Sequence, residues 1–174
     1  RQEYLLVDGY NIIFSWEELR DLAAYDLGAA RSKLMDILSN YQGYKNNTLI
    51  LVLDAYKVEG NTGQTMKYHN IYVVYTKEAE TADQYIEKAV HRIDHRYNLT
   101  VATSDALEQI IIMGQGAIRM SAKEFKEEVQ DANIEIAGTY LNRQPHSKDY
   151  LFDHLPKDLM DSMEEIRLGK KKNK

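Results

Sequence analysis

The sequence contains no cysteine among its 174 residues. This absence excludes a disulfide framework, a thiolate zinc site and a cysteine nucleophile. The sequence also has no apolar run near the roughly 18 residues that a membrane-spanning helix needs, and no signal peptide is recognisable in it. We therefore expect a protein of the reducing cytoplasm that has no membrane partner.

Basic residues are fewer than acidic ones. The chain has 22 lysines and arginines against 27 aspartates and glutamates, which gives a formal net charge of −5. Domains that bind nucleic acids are usually basic, so this total argues against a general affinity for phosphate. However, a pocket of carboxylates itself adds negative charge, and a bound cation reverses the sign locally. The charge total is therefore compatible with a nucleic-acid enzyme that has an acidic metal site.

Short apolar runs rich in β-branched residues alternate with helical patterns. The four clearest runs are Tyr4–Val7, Leu49–Leu53, Ile71–Tyr75 and Leu99–Ala102, and a shorter edge strand is predicted at Ala117–Met120. Continuous apolar runs of this length are typical of strands buried in a parallel sheet. A chain of this length suits one main domain. The sequence therefore predicts an α/β fold with a central, mainly parallel sheet, right-handed crossovers and helices on both faces.

Helical spacing of apolar residues separates these strands. The first such pattern extends from Leu27 to Tyr41. Each of three later patterns follows a residue that can cap a helix, with a glutamine or glutamate three positions further on. The three pairs are Thr81 and Gln84, Asp105 and Glu108, and Ser121 and Glu124.

Two segments depart from the alternation of strands and helices. Lys57–Asn70 is polar and contains two glycines, so it is predicted to be a mobile loop. After Tyr140 the pattern weakens, and a last helix is predicted to begin near Pro156. We therefore divide the chain into a domain over residues 1–140 and a C-terminal extension over residues 141–174, which has a short helix and a basic tail.

An aspartate stands at or soon after the carboxyl end of each of the four main strands. Asp8, Asp54 and Asp105 follow the first, second and fourth strands, and Asp83 lies in the first turn of the helix after the third. In open α/β sheets, ligands bind just beyond the carboxyl ends of the strands. Clustered carboxylates repel each other unless a cation offsets their charge. Oxygen ligands without cysteine or histidine suit Mg²⁺ or Mn²⁺.

The sequence therefore predicts a catalytic metal site at this edge of the sheet. Asp8, Asp83 and Asp105 are its predicted metal ligands, and Asp54 is predicted to act on the substrate or on a second ion. Taken singly, each aspartate also has a structural explanation, because aspartate caps helices and is favoured in their first turn. A metal held by several aspartates can bind phosphate oxygens and lower the pKa of an attacking water, which points to hydrolysis of phosphodiesters.

Four further residues are predicted to bind substrate. Asn11 shares the turn after the first strand with Asp8, and its amide could bind a phosphate, hold Asp8 in place or simply bond within the turn. Thr81 and Ser104 could donate to the carboxylates or to a phosphate, although helix capping explains both equally well. Lys57 is predicted to contribute to a basic rim that contacts phosphates.

The segments LLVDGYN, LVLDA, ETADQYIEK and VATSD, taken in this order, resemble the NYN domain and in particular its bacterial YacP-like branch. The resemblance extends from about residue 4 to about residue 137, and it includes the segment GQGAIRMSAKEF. It implies a PIN-like, Rossmann-like three-layer nuclease fold and a metal-dependent endoribonuclease activity. The site residues that it implies are Asp8, Asp54, Asp83 and Asp105, with Asn11 beside them.

The resemblance also implies partners. Bacterial YacP-like proteins are associated with the decay of mRNA on ribosomes, so it implies RNA, and mRNA in particular, as the substrate and the ribosome as a partner. DNA is not an expected substrate. The segment after Tyr140 is where the resemblance is weakest, and it implies no role there.

Two other functions remain open from the sequence. An aspartyl-phosphate phosphatase or receiver also uses an acidic pocket on an α/β sheet. A haloacid-dehalogenase-like phosphatase would require an aspartate two residues after the first one, where this chain has Tyr10. A non-catalytic RNA- or ribosome-binding module is the second alternative, and the complete set of four aspartates argues against it.

Overall fold

The computed structural model describes residues 2–55, 64–140 and 157–169 of the chain. In these residues six strands form one sheet and seven helices accompany it. The strands are β1 (Glu3–Asp8), β2 (Thr48–Leu53), β3 (Thr65–Tyr68), β4 (Ile71–Tyr75), β5 (Asn98–Ala102) and β6 (Ile118–Met120). The helices are α1 (Gly9–Ser15), α2 (Glu17–Tyr25), α3 (Leu27–Lys45), α4 (Ala82–Arg92), α5 (Ala106–Gly114), α6 (Ala122–Tyr140) and α7 (Lys157–Leu168).

The sheet has the strand order β3-β4-β2-β1-β5-β6. All neighbours are parallel except β3, which pairs antiparallel with β4 at one edge. Strand β1 lies between β2 and β5, with Tyr4 opposite Thr48 on one side and Leu99 on the other. The carboxyl ends of these three strands therefore lie side by side, and the residues that follow them share one edge.

Successive residues of the central strands point into two separate apolar cores. Leu5 and Val7 of β1 pack into the first core, with side chains from α1, α2, α3 and α6. Tyr4 and Leu6 pack into the second core, with side chains from α4, α5 and α7. Because both faces of β1 are covered, its central run Tyr4–Val7 is continuously apolar instead of alternating. The result is the three-layer arrangement, with helices on both faces of a mainly parallel sheet, that the sequence predicts.

The five strands predicted from the sequence are confirmed as β1, β2, β4, β5 and β6. The prediction of a loop over Lys57–Asn70 is wrong for its second half, because residues 65–68 form β3. Met66 and Tyr68 of β3 pack against the first core, while Lys67 between them is exposed. This edge strand therefore has one apolar face toward the core and one polar face toward solvent. Residues 56–63, which include Lys57, lie outside the described part of the chain.

The helices predicted around Leu27–Tyr41 and after Thr81, Asp105 and Ser121 are confirmed as α3, α4, α5 and α6. Helices α1 and α2 are not predicted from the sequence. Strand β1 passes into α1 without an intervening loop, so Asn11 lies in a helix and the prediction of a turn is wrong there. Helix α1 has only seven residues, which is too short for a helical period to stand out.

Helix α7 follows Pro156 and packs on the sheet. Met163 of α7 is buried in the second core, and Ile166 packs against that core. The division of the chain at residue 140 stays a prediction, and the basic tail over residues 170–174 lies outside the described residues. None of the described helices is both long and apolar enough to span a membrane.

Candidate active site

The first acidic side chain of the site is fixed by the direct passage from β1 into α1. Asp8 occupies the N-cap position of α1, but its side chain makes no capping hydrogen bond. A Cβ atom on Gly9 would lie 2.9 Å from the carbonyl oxygen of Val52 and 2.5 Å from Cδ2 of Leu53. Only glycine therefore fits where α1 begins against β2. This close contact holds Asp8 at the carboxyl edge of the sheet with its carboxylate free for another role.

Two more acidic side chains come from the first turns of α4 and α5. Asp83 is the second residue of α4, and Glu108 is the third residue of α5. The start of α4 is held by Asp54, whose Oδ1 accepts a hydrogen bond of 2.6 Å from the backbone N–H of Ala82. The amino end of a helix favours nearby negative charge, so both helices stabilise carboxylates in these positions.

Asp8, Asp83 and Glu108 converge at this edge, and we call these three residues the acidic cluster. One carboxylate oxygen from each lies within 4.8 Å of the other two. Asp8 and Glu108 are buried, each with 5% of its surface exposed, whereas Asp83 is exposed. The acidic cluster is therefore closed on the side of the sheet and open to solvent at Asp83.

A single hydroxyl group serves both buried carboxylates of the acidic cluster. Oγ1 of the fully buried Thr103 lies 3.2 Å from Oδ2 of Asp8 and 3.1 Å from Oε2 of Glu108. A hydroxyl has one proton to donate, so it can satisfy only one of the two carboxylates at a time. Among the described residues, no N–H or hydroxyl group donates to the other oxygen of Glu108, Oε1, which is buried.

The electrostatics of the acidic cluster follow from this crowding. Burial raises the pKa of Asp8 to about 7, and the charges of Asp83 and Asp54 also raise it, while hydrogen bonds with Glu108 and Thr103 oppose the rise. Burial and the charge of Asp8 raise the pKa of Glu108 well above its ordinary range. A divalent cation fits these residues because it would be coordinated by Oε1 of Glu108, and it would offset the repulsion between the three carboxylates.

Asp105, a predicted metal ligand, lies outside the acidic cluster in the structure. Its Oδ1 caps α5 by accepting a hydrogen bond of 3.1 Å from the backbone N–H of Glu108. In a complete capping box the side chain of Glu108 would return to the N–H of Asp105. Here Thr103 Oγ1 accepts that N–H at 3.1 Å, and the carboxylate of Glu108 is left to the acidic cluster. Ligation by Asp105 stays a prediction.

Glu108 and Thr103 are the two site residues that the sequence does not reveal. In the sequence, Glu108 comes three positions after the capping residue Asp105. Gln84 comes three positions after Thr81 in the same way, and that pair does form a complete capping box. Helix capping therefore gives Glu108 a sufficient explanation, which hides its second possible role. The remaining signal is that Glu108 belongs to the helix that follows a strand-end aspartate.

Three of the four predicted substrate-binding side chains have hydrogen-bond partners within the protein. Oδ1 of Asn11 accepts a hydrogen bond of 2.8 Å from the backbone N–H of Ser104, which ties α1 to the segment after β5. Oγ of Ser104 accepts one of 2.9 Å from the N–H of Ala122 at the start of α6. Thr81 caps α4. Lys57 lies outside the described residues, and substrate binding by all four residues stays a prediction.

Comparisons with known proteins agree with one another. The profile of the YacP-like NYN domain matches residues 5–168. Over 129 residues the chain is 43% identical to the protein YacP of Bacillus subtilis (strain 168), a match that covers 74% of this chain and 75% of that protein.

Two solved structures from the same organism are also similar. The crystal structure of Rae1 (YacP) from Bacillus subtilis superposes with a TM-score of 0.70 at 36% identity, and covers 97% of this chain and 96% of that one. The crystal structure of a tryptophan-to-leucine mutant of Rae1 superposes with a TM-score of 0.69 at 34% identity, and covers 92% of this chain and 98% of that one.

Proposed function

This chain belongs to the YacP-like NYN domain family, a nuclease-type family, and we propose that it is a metal-dependent endoribonuclease that hydrolyses phosphodiester bonds of RNA. The observation that carries the proposal is the acidic cluster, whose three oxygens lie within 4.8 Å of one another. Buried carboxylates so close together are costly unless a cation neutralises them. Because all donors are carboxylate oxygens, the proposed cation is Mg²⁺ or Mn²⁺.

The roles of the chain's own residues follow from their positions. Asp8 and Glu108 would hold the ion from the buried side, and Asp83 would hold it from the open side, where the substrate enters. Asp54 and Asp105 fix the first turns of α4 and α5 and so position Asp83 and Glu108. A divalent ion in this place supplies positive charge for the phosphate oxygens and lowers the pKa of an attacking water.

Basic side chains at the same edge suit a polyanionic substrate. Lys77 and Lys123 follow the carboxyl ends of β4 and β6, and both are exposed, although Nζ of Lys77 also donates a hydrogen bond of 3.1 Å to the carbonyl oxygen of Leu168. Exposed lysines contact phosphates without selecting a base sequence, so they would hold an RNA backbone across the acidic cluster. We further propose mRNA as the substrate and the ribosome as a partner, both on the family resemblance, together with a cytoplasmic location and no action on DNA.

Cleavage of a labelled single-stranded RNA tests the proposal. With Mg²⁺ or Mn²⁺ the wild-type protein is expected to cut internally, and a chelator is expected to stop it. Asp8→Asn and Asp83→Asn are each expected to lower the rate at least about 100-fold, the upper end of what loss of a supporting residue costs at a metal site. Asp131→Asn, on the exposed surface of α6 across the sheet, is the matched control and should keep the wild-type rate.

Circular dichroism and RNA binding complete the test. The aspartate variants should keep the wild-type spectrum, and they should still bind RNA through the surrounding surface. Wild-type rates in both variants would show that the acidic cluster is not the catalytic site. A wild-type protein that binds RNA but never cuts it with either ion would favour the non-catalytic binding module.

A further inference from the structure

A narrow cleft leads from the acidic cluster along the seam between α4 and α5. Its volume is about 100 Å³, and Asp83 and Glu108 form its end at the acidic cluster. From there its walls come from both helices and are mainly apolar, with Gln84 and Glu87 of α4 as polar lining residues. The apolar residues are Ile86 and Val90 of α4 and Ile111 and Ile112 of α5. Ile86, Val90 and Ile112 are buried, whereas Ile111 is 37% exposed.

The spacing of these residues along each helix explains the shape of the cleft. Asp83, Ile86 and Val90 are three and four positions apart, so they share one face of α4. Glu108, Ile111 and Ile112 likewise share one face of α5. Each face begins with a carboxylate at the acidic cluster and continues with branched aliphatic side chains. The cleft is therefore continuous with the proposed catalytic site and is not a separate pocket.

We propose that this cleft binds one unpaired nucleobase of the RNA, next to the phosphate that lies at the acidic cluster. The inference rests on the proposed function. In a nucleotide the base is separated from its phosphate by a single sugar. An RNA phosphate at the acidic cluster therefore brings a base within reach of the cleft. Apolar walls suit the flat faces of an unstacked base. A volume well below the roughly 300 Å³ of complete ligand sites suits one planar group.

The charges around the cleft select among the bases. Three lining residues are acidic, namely Asp83, Glu87 and Glu108. Asp83 and Glu108 would hold the proposed cation, which leaves Glu87 as the carboxylate that meets the base. Glu87 is exposed on α4 beside the apolar walls, and an ionised carboxylate can only accept hydrogen bonds. Adenine, cytosine and guanine present an amino group to such an acceptor. Uracil presents two carbonyl oxygens around its single N–H, and these oxygens would face negative charge. The cleft therefore favours a base with an amino group over uracil.

Cleavage of a short single-stranded RNA library with randomised bases tests this inference. Among the RNAs cut by the wild-type protein, sequencing is expected to find uracil at one position beside the cut at least about fivefold less often than in the starting library. A factor of this size is the lower end of the discrimination that one contact to a base edge provides. Glu87→Gln keeps the shape of the side chain but can donate to a carbonyl, so the depletion should fall to less than about twofold. Glu135→Gln, on the exposed surface of α6, should leave the depletion unchanged.

A second variant tests the cleft by filling it. Ile111→Trp should occupy the mouth of the cleft and raise KM for all the RNAs at least about fivefold, while the rise in melting temperature caused by Mn²⁺ stays as in wild type. Ile134→Trp is the control, since Ile134 is 70% exposed on α6.

The outcomes separate this inference from the proposed function. Cleavage that requires Asp8 but shows no base preference beside the cut, or a preference that Glu87→Gln leaves intact, overturns the base site and leaves the nuclease standing. The same holds if Ile111→Trp cuts with the wild-type KM, because the cleft would then be an ordinary groove between two helices. Cleavage that survives Asp8→Asn, or no cleavage at all, overturns both proposals.

Discussion

Asp8 at the end of β1 and Glu108 in the first turn of α5 both lie within hydrogen-bonding distance of one hydroxyl group. Oδ2 of Asp8 and Oε2 of Glu108 are 3.2 and 3.1 Å from Oγ1 of Thr103. Because the hydroxyl has one proton, at least one of these buried carboxylates always lacks its donation. Without a cation, this pair is therefore a local source of instability, which the proposed cation would offset.

The first prediction concerns the pH dependence of stability without metal. Burial holds the pKa values of Asp8 and Glu108 above those of the unfolded chain. Because the folded pKa lies above the unfolded one, the contribution of each group to the free energy of unfolding is fully present below about pH 4, near the unfolded pKa. This contribution is lost as the pH rises from there through the folded pKa values. Each such group contributes a slope of up to about 1.4 kcal/mol per pH unit.

Calorimetry in a chelator checks this slope. The melting temperature of the metal-free protein should fall between about pH 5 and about pH 8, and Glu108→Gln should make the fall shallower. At the upper pH the variant should melt several degrees above wild type, since about 1 kcal/mol corresponds to roughly 2–4 °C in a chain of this size. Glu135→Gln, which removes an exposed charge, should follow the wild-type curve. A Glu108→Gln variant that is less stable than wild type at about pH 8 would contradict the account.

The second prediction concerns Gly9, which sets the position of Asp8. In Gly9→Ala the added methyl group would meet the backbone of Val52 and the side chain of Leu53. Overpacking of this kind costs about 1–3 kcal/mol, so the melting temperature should fall by several degrees, and metal affinity should fall with it because Asp8 is displaced. Gly114→Ala in α5 is the control.

The Gly114 control works because a Cβ atom there has no heavy atom within 4 Å. Alanine is a better helix former than glycine by at most about 1 kcal/mol, so Gly114→Ala should be neutral or mildly stabilising. Equal melting temperatures for Gly9→Ala and wild type would mean that the contact between α1 and β2 does not position Asp8.

How far the sequence predicts this site depends on which residue is considered. Asp8 and Asp54 follow buried parallel strands, so the position of both at one edge of the sheet follows from the strand pattern alone. The proposed role of Glu108 depends on the hydrogen bond from the backbone N–H of Asp105 to Thr103, which replaces the one that a complete capping box would make to Glu108. No sequence motif encodes this choice between two acceptors.

The same contrast holds for the fold. Apart from polar residues at their ends and Thr100 within β5, the four main strands are apolar, and they are found where the pattern predicts them. Strand β3 has four residues at the edge of the sheet, and it pairs with β4 across the two-residue turn His69–Asn70, which lacks the glycine that marks the commonest hairpin turns. Helix α1 is also short. Elements of this length are determined by what they pack against, and the local sequence says little about that.

The third prediction separates Glu108 from Asp105 as the third acidic group of the site. Asparagine caps helices about as well as aspartate, so Asp105→Asn should preserve α5 and cut RNA within about tenfold of the wild-type rate. Glu108→Gln keeps the size of the side chain but weakens the site for a cation, and it should lose at least about 100-fold. If Asp105→Asn loses activity while Glu108→Gln keeps it, the assignment made from the sequence is right and the geometric one is wrong.

Binding of Mn²⁺ to the acidic cluster can be measured without any knowledge of the RNA that is cut. In crystals soaked with Mn²⁺, the anomalous difference map should show a peak bounded by carboxylate oxygens of Asp8, Asp83 and Glu108, about 2.1 Å from its ligands. The same soak of Asp8→Asn crystals should weaken or remove the peak. A map with no peak at the acidic cluster, at an ion concentration that supports RNA cleavage in solution, would contradict the account.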